Sequence, residues 1–213
     1  MGDENMFDEL DTAERKETVM ATERERTAYH EAGHFVAGLQ AVDVQASISI
    51  VPDDEAGTWG HVIGEVCERY VDERMNPGRE KVIASVVSLY AGFAAQRLLD
   101  PQQPEAEALA GATADFAAAG IWADVLGRAE GIQRAQEFVA EHWNEIEVLA
   151  KALLVKETLD AEQADAIVLL ASEEETVIAR SAGNLVHLYG WTAAELSELT
   201  GIRFTKPEPE GRA

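Results

Sequence analysis

Two histidines four residues apart, His30 and His34, with Glu31 directly after the first, sit in the run "RTAYHEAGHFVAG". On an α-helix, residues at that separation lie one above the other on a single face, so the spacing aims two imidazoles at one point if the segment is helical. The flanks predict that it is. Thr22 and Glu25 form the reciprocal pair that satisfies free amides at a helix start, and a helix from about residue 23 to 40 follows.

Neutral imidazole is a good zinc ligand, and a catalytic zinc takes three protein ligands and leaves its fourth position to a water whose pKa falls to about 7. His30 and His34 would supply two of the three. Glu31 would then stand beside that water as the general base, and could afterwards return the proton to a leaving amine. Ala32 and Gly33, between the ligands, are small enough to let another segment pack close, the strands after Ala46 being the candidate.

After this helix the period changes. Val44, Ala46, Ile48 and Ile50 alternate with more polar residues before a Pro-Asp-Asp-Glu-Ala-Gly turn, which predicts two or three short strands. Asn76 and Pro77 are the expected cap of a long helix ending near Asp100, whose apolar positions Val82, Val86, Leu89, Phe93 and Leu98 recur at helical spacing. Residues 101 to 111 read as a loop. A helix starting at Gly111 or Thr113 carries Asp115, Phe116 and Trp122, and the stretches at about 130 to 156 and 161 to 189 are helical, separated by "KETLDAEQ". Thr192 caps a last short helix. The expected fold is mainly α, with a small β-sheet near the N-terminal zinc helix. Its expected parts are a mobile segment at 1–20, a peptidase domain at 21–180, and a short helix with a disordered tail at 181–213.

Forty acidic against 17 basic side chains give a formal charge of −23, which repels phosphate backbones and anionic lipid headgroups and argues against nucleic acid and membrane partners. Cys67 is the only cysteine, so no internal disulfide is possible. The first twenty residues lack a signal peptide's basic start and apolar run, and no stretch of about 18 apolar residues is read in the chain. A cytoplasmic protein is the expectation. "YGWTAAELSELTGI" looks like the first half of a helix-turn-helix, but Lys206 and Pro207 break the chain before a recognition helix can form. Trp191, Leu196 and Leu199 are instead the apolar side of a helix that docks on the core or on a partner protein.

The run "TAYHEAGH" resembles the signature of the peptidase domain of the FtsH family of ATP-dependent zinc metalloproteases. "SISIVP" is similar to that family's strand pair beside the active site, "YAGFAAQRLL" to its Gly-Gly-Arg-Ala-Ala-Glu-Glu helix, and "EHWNEIEVLAKALLVKETLDAEQ" to its late helix and Glu-Thr-Leu turn. The likeness runs from about residue 23 to 170. It implies a third zinc ligand, an aspartate in a Gly-Ala-x-x-Asp run, and "GATAD" places it at Asp115; Asp124, Glu105 and Glu107 are weaker alternatives.

The family carries transmembrane helices and an ATPase domain before its peptidase domain; this sequence shows neither, nor a phosphate-cradling G-x-x-x-x-G-K-S/T run. The resemblance therefore implies a zinc-dependent endopeptidase that cleaves unfolded or flexible protein segments without its own ATPase motor, with a separate unfoldase or adaptor as a candidate partner and the oligomeric state open. The alternative is a catalytically silent zinc-binding scaffold or adaptor that binds a protein partner. Glu31, dispensable for holding metal and needed to activate water, favours the enzyme. The segment "TWGHVIG" is either an edge strand that pairs with an extended peptide or an ordinary protected edge. Tyr29 and His61 are possible substrate contacts, although His61, His142 and His187 read more readily as surface or packing residues.

Overall fold

The computed structural model describes residues 21–39, 41, 44–52, 60–65 and 78–204. The terminal segments at 1–20 and 205–213, the turn after Pro52, Cys67, the cap at Asn76 and Pro77, and Lys206 with Pro207 lie outside the described residues.

Helix α1, Glu23–Gly38, begins with the predicted reciprocal cap: the Glu25 amide donates to the Thr22 hydroxyl at 3.2 Å and the Thr22 amide to the Glu25 carboxylate at 2.7 Å. From Ala28 to Gly38 every residue except His34 is buried. A helix enclosed on so many sides must be central, and the rest of the fold supplies its walls.

The remaining elements, in chain order, are β1 (Val44–Ser49), β2 (His61–Glu65), α2 (Arg79–Leu99), α3 (Glu105–Gly111), α4 (Thr113–Gly120), α5 (Arg128–Glu141), α6 (Trp143–Val155), β3 (Thr158–Asp160), α7 (Ala161–Val168), α8 (Glu175–Tyr189) and α9 (Ala193–Thr200). The fold is mainly helical with one small sheet, as expected. Helix α1 packs against α2 on one side, α6 on another, and β1 and β2 on a third.

The α1–α2 contact runs backbone to backbone. A Cβ at Gly33 would stand 2.7 Å from the Ala91 carbonyl oxygen and 2.9 Å from the Ala95 Cβ, so only glycine permits this approach. At Gly33 the close neighbour is therefore the backbone of α2, where the strands after Ala46 were expected; β1 and β2 pack on another side of α1.

The sheet is antiparallel in the order β2-β1-β3. Ile48 of β1 pairs with Leu159 of β3, both fully buried, and the Ser49 and Thr158 hydroxyls meet at 2.8 Å. Strand β3 comes from the segment read as a separator between helices. Three residues are too few for an alternation signal, and their partner lies far upstream. Asp160 ends β3 and caps α7 by accepting the Gln163 amide at 2.8 Å.

Three helix boundaries also differ from expectation. Residues 105 to 111, read as a loop for their flanking prolines and glycine, form α3, whose Ala108 is buried with Phe93 and Ala112. The expected helix at 130 to 156 breaks at His142 into α5 and α6, and the one at 161 to 189 breaks at a 3-10 turn, Leu169–Ala171. The last helix, α9, buries Leu196 and Leu199 with Trp191 in the same core as α6 and α8.

Against the expectation of no such stretch, α2 is the one described helix long and apolar enough to cross a membrane, with a mean hydropathy of 1.5 over its best window. Half of that window is buried inside the protein, because α2 packs along α1, α4 and α5.

Gly33→Val should lower stability by about 1–3 kcal/mol, since the added methyls must separate two helix backbones already in contact. Urea unfolding reads this directly; an unchanged midpoint would mean that the two helices do not touch at Gly33.

Candidate metal centre

The histidine spacing and the α1–α2 contact together bring three ligand atoms to one place. The Nε2 atoms of His30 and His34 stand 3.0 Å apart, and Asp115 Oδ2 lies 3.3 Å from each. Among the described residues this is the group of histidine, cysteine and acidic side chains that could hold a metal ion. Asp124, Glu105 and Glu107 are exposed and do not join it.

Each partner is delivered by a distinct local device. Asp115 sits in the first turn of α4, where the free amides of the helix start favour a carboxylate. The next residue, Phe116, anchors that turn, with ring centroids 4.9 Å from Tyr90 and 5.3 Å from Phe93 and the Arg128 guanidinium 4.6 Å above its face. Beneath the imidazoles is Gly92 of α2, where a Cβ would lie 2.4 Å from His34 Nε2 and 2.9 Å from His30 Cδ2. Any other residue there would push the rings off α2.

Ring protons decide what the cluster can do. His34 Nδ1 lies 2.8 Å from the Ser88 carbonyl, which can only accept, so Nδ1 carries a hydrogen and the neutral ring keeps its lone pair on Nε2. His30 Nδ1 lies 3.2 Å from Gln96 Oε1, also an acceptor. With both rings neutral, two nitrogen lone pairs and a carboxylate oxygen would converge, which is stable only around a shared cation, a proton or a metal.

A proton there shows in the acidities. Burial disfavours charge on His34, but its hydrogen bond and attraction to Asp115 outweigh that and raise its pKa to about 9. Burial likewise opposes the Asp115 anion, and its interactions with His30 and His34 win, holding its carboxyl well below the usual range. The donor set fits zinc. Ligand atoms about 2.0–2.1 Å from a tetrahedral zinc stand about 3.3–3.4 Å apart, close to the separations found.

Glu31, 7% exposed, is raised in pKa chiefly by burial, with the negative charge of Asp115 acting in the same direction and the histidines opposing it. Gly60, just before β2, presses its backbone on this side chain. A Cβ there would lie 2.9 Å from Glu31 Cγ and Oε1. Tyr29 turns away to stack on Trp143 at 5.2 Å, and His142 lies against Phe138 at 4.3 Å, both as packing residues; His187 is exposed. His61 is half-buried at the start of β2.

Sequence reasoning missed Ser88, Gly92, Gln96 and Gly60. The glycine in "YAGF" was a visible signal for close backbone approach, whereas Ser88 acts on the ring through a main-chain carbonyl and leaves no side-chain signature.

No model of a known protein family matches this chain. Two curated proteins resemble part of it. The ATP-dependent zinc metalloprotease FtsH of Mycoplasma mobile is 33% identical over 90 residues, 41% of this chain. The ATP-dependent zinc metalloprotease FtsH of Mesomycoplasma conjunctivae is 33% identical over 98 residues, 44% of this chain. The chain spans only 12% of the length of each. The relationship to FtsH is therefore partial and weak.

A metal must displace the His34 proton, so zinc affinity should rise about tenfold per pH unit as pH climbs toward about 9 and level off above it. In the metal-free protein the sign is opposite: the raised His34 pKa stabilises the fold fully below the ordinary value of 6.5, and this is lost as pH rises through about 9. Chelator competition and thermal unfolding across this range measure both, and two flat profiles would refute the shared proton.

Proposed function

We propose that this chain is a zinc-dependent endopeptidase acting on unfolded or flexible protein segments. One observation carries the reading: two imidazole nitrogens and a carboxylate oxygen converge on one point, 3.0–3.3 Å from one another, beside a buried glutamate. The partial likeness to proteins named zinc metalloproteases supports it.

His30, His34 and Asp115 would hold the ion. Bound there, zinc supplies Lewis-acid chemistry, acidifying a water and polarising a carbonyl. Glu31 does the proton work: its carboxylate accepts a proton from the attacking water and delivers it to the amine that leaves when the peptide C–N bond breaks. Burial raises its proton affinity, which suits a base that must keep the proton through the intermediate step. Gly60 holds the carboxylate from behind and limits its swing.

Among the described residues strand β2 lies at an edge of the sheet and follows directly from Gly60, so an extended segment adding main chain to main chain along β2 would pass beside Glu31. Recognition through the backbone asks for an unfolded stretch and little side-chain preference, which gives the substrate class.

Glu31→Gln should keep the zinc content of the wild type and lose casein cleavage by about 100-fold or more, while Asp115→Ala should lose both metal and activity. Metal analysis with a fluorescent casein assay reads both. Unchanged turnover in Glu31→Gln would remove the base from the scheme, and a wild type that holds zinc yet cuts nothing would point to a metal-binding scaffold.

A further inference from the structure

We propose that Gln96 is a positioning residue for the candidate metal centre, keeping the ring proton of His30 on Nδ1, and that Gln103 sets which end of the Gln96 amide His30 meets. This rests on the zinc reading above, in that His30 binds metal through Nε2.

The two histidines are held differently. His34 faces a main-chain carbonyl, that of Ser88, an acceptor that cannot be reversed. His30 faces a side-chain amide, which has an accepting and a donating end. Presented by its nitrogen, Gln96 would make His30 Nδ1 the acceptor, send the ring proton to Nε2, and close that atom to a metal. Metal binding at His30 thus depends on which way one amide points.

Gln103 makes that choice. Gln96 Nε2 donates to Gln103 Oε1 at 2.9 Å, leaving Oε1 for the histidine. Both glutamines are buried, at 8% and 6% exposure. The backbone of Gln103 is tied down, its amide donating to the Asp100 carbonyl at 3.2 Å and its own carbonyl accepting from Arg97. Asp100, 3% exposed, is paired with Arg26 of α1 at 3.1 Å, which locks the turn closing α2 to the metal-bearing helix. Two buried amides cost more desolvation than two leucines of similar size, so packing alone does not explain the pair.

The test combines zinc affinity by chelator competition with nitrogen NMR of the His30 ring in the metal-free protein, fold being checked by circular dichroism and unfolding midpoint. In the wild type the ring proton is expected on Nδ1. Gln96→Leu should mix the tautomers and weaken zinc binding by roughly 10–100-fold. Gln96→Glu, an acceptor at both ends, should restore Nδ1–H and bind zinc at least as tightly as the wild type, a rescue that a packing role would not produce. Gln103→Leu, which frees the Gln96 amide to turn, should weaken zinc binding by a smaller factor.

A folded Gln96→Leu protein with wild-type affinity and an unmoved ring proton would overturn the proposal. If that variant does not fold, wild-type affinity in Gln103→Leu together with weakened binding in Gln96→Glu would do so. A wild type that binds no zinc while its His30 proton still follows Gln96 would sink the metal reading and leave the positioning role standing.

Discussion

Everything at the candidate centre depends on how closely two helix backbones approach. Gly33 of α1 rests on the Ala91 carbonyl and the Ala95 Cβ of α2, and this contact sets the height at which the imidazoles meet α2. The residues of α2 beneath them are Ser88, Gly92 and Gln96, each four after the last and so on one face. The first takes His34, the second clears space for both rings, and the third takes His30. A stripe on α2 is thus the complement of the histidine pair on α1, running in the opposite direction.

Such an arrangement is electrostatically expensive. Two carboxylates, Glu31 and Asp115, share one largely buried site, and each raises the other's cost of ionisation. The cation resolves this. With only a proton available, His34 and Asp115 form the charged pair; with a metal, the imidazoles would bind through Nε2 and the His34 proton would leave. The fold is therefore prepared for positive charge at one point although the chain as a whole is strongly acidic. The placement of Asp115 on a helix start and the aromatic anchor at Phe116 keep that carboxylate facing inward.

What could be read from the chain divides by distance along it. The helix at His30, its cap and its ligand spacing are local, and local signals are legible: α1 starts at the residue that Thr22 and Glu25 predict. Asp115 came from a resemblance to a family motif; no spacing rule connects it to the histidines, since only the packing of α4 on α2 brings it there. Strand β3 was missed because it is three residues long and pairs with β1 across most of the chain. Helix α3 was missed because Pro101, Pro104 and Gly111 signal loops when their neighbours' burial is unknown. Ser88 and the Gln96–Gln103 pair were invisible for a related reason: a backbone carbonyl has no residue type, and two glutamines acquire a joint role only after the turn at Asp100 folds one back on the other.

The placement of Glu31 bears most directly on why this site would do chemistry as well as hold metal. A scaffold needs the three ligands and the residues that orient them, and for that purpose an apolar side chain at position 31 would be more stable, because it would avoid burying an acid beside Asp115. Gly60 adds to the cost, giving up backbone order and any side-chain packing so that the carboxylate can lie against β2. Two positions that weaken the fold thus converge on one oxygen pair beside the ligand cluster. Stability sacrificed at neighbouring positions is characteristic of functional sites, and the proton transfer proposed for Glu31 is work that a carboxylate placed between the ligand cluster and the start of β2 could do.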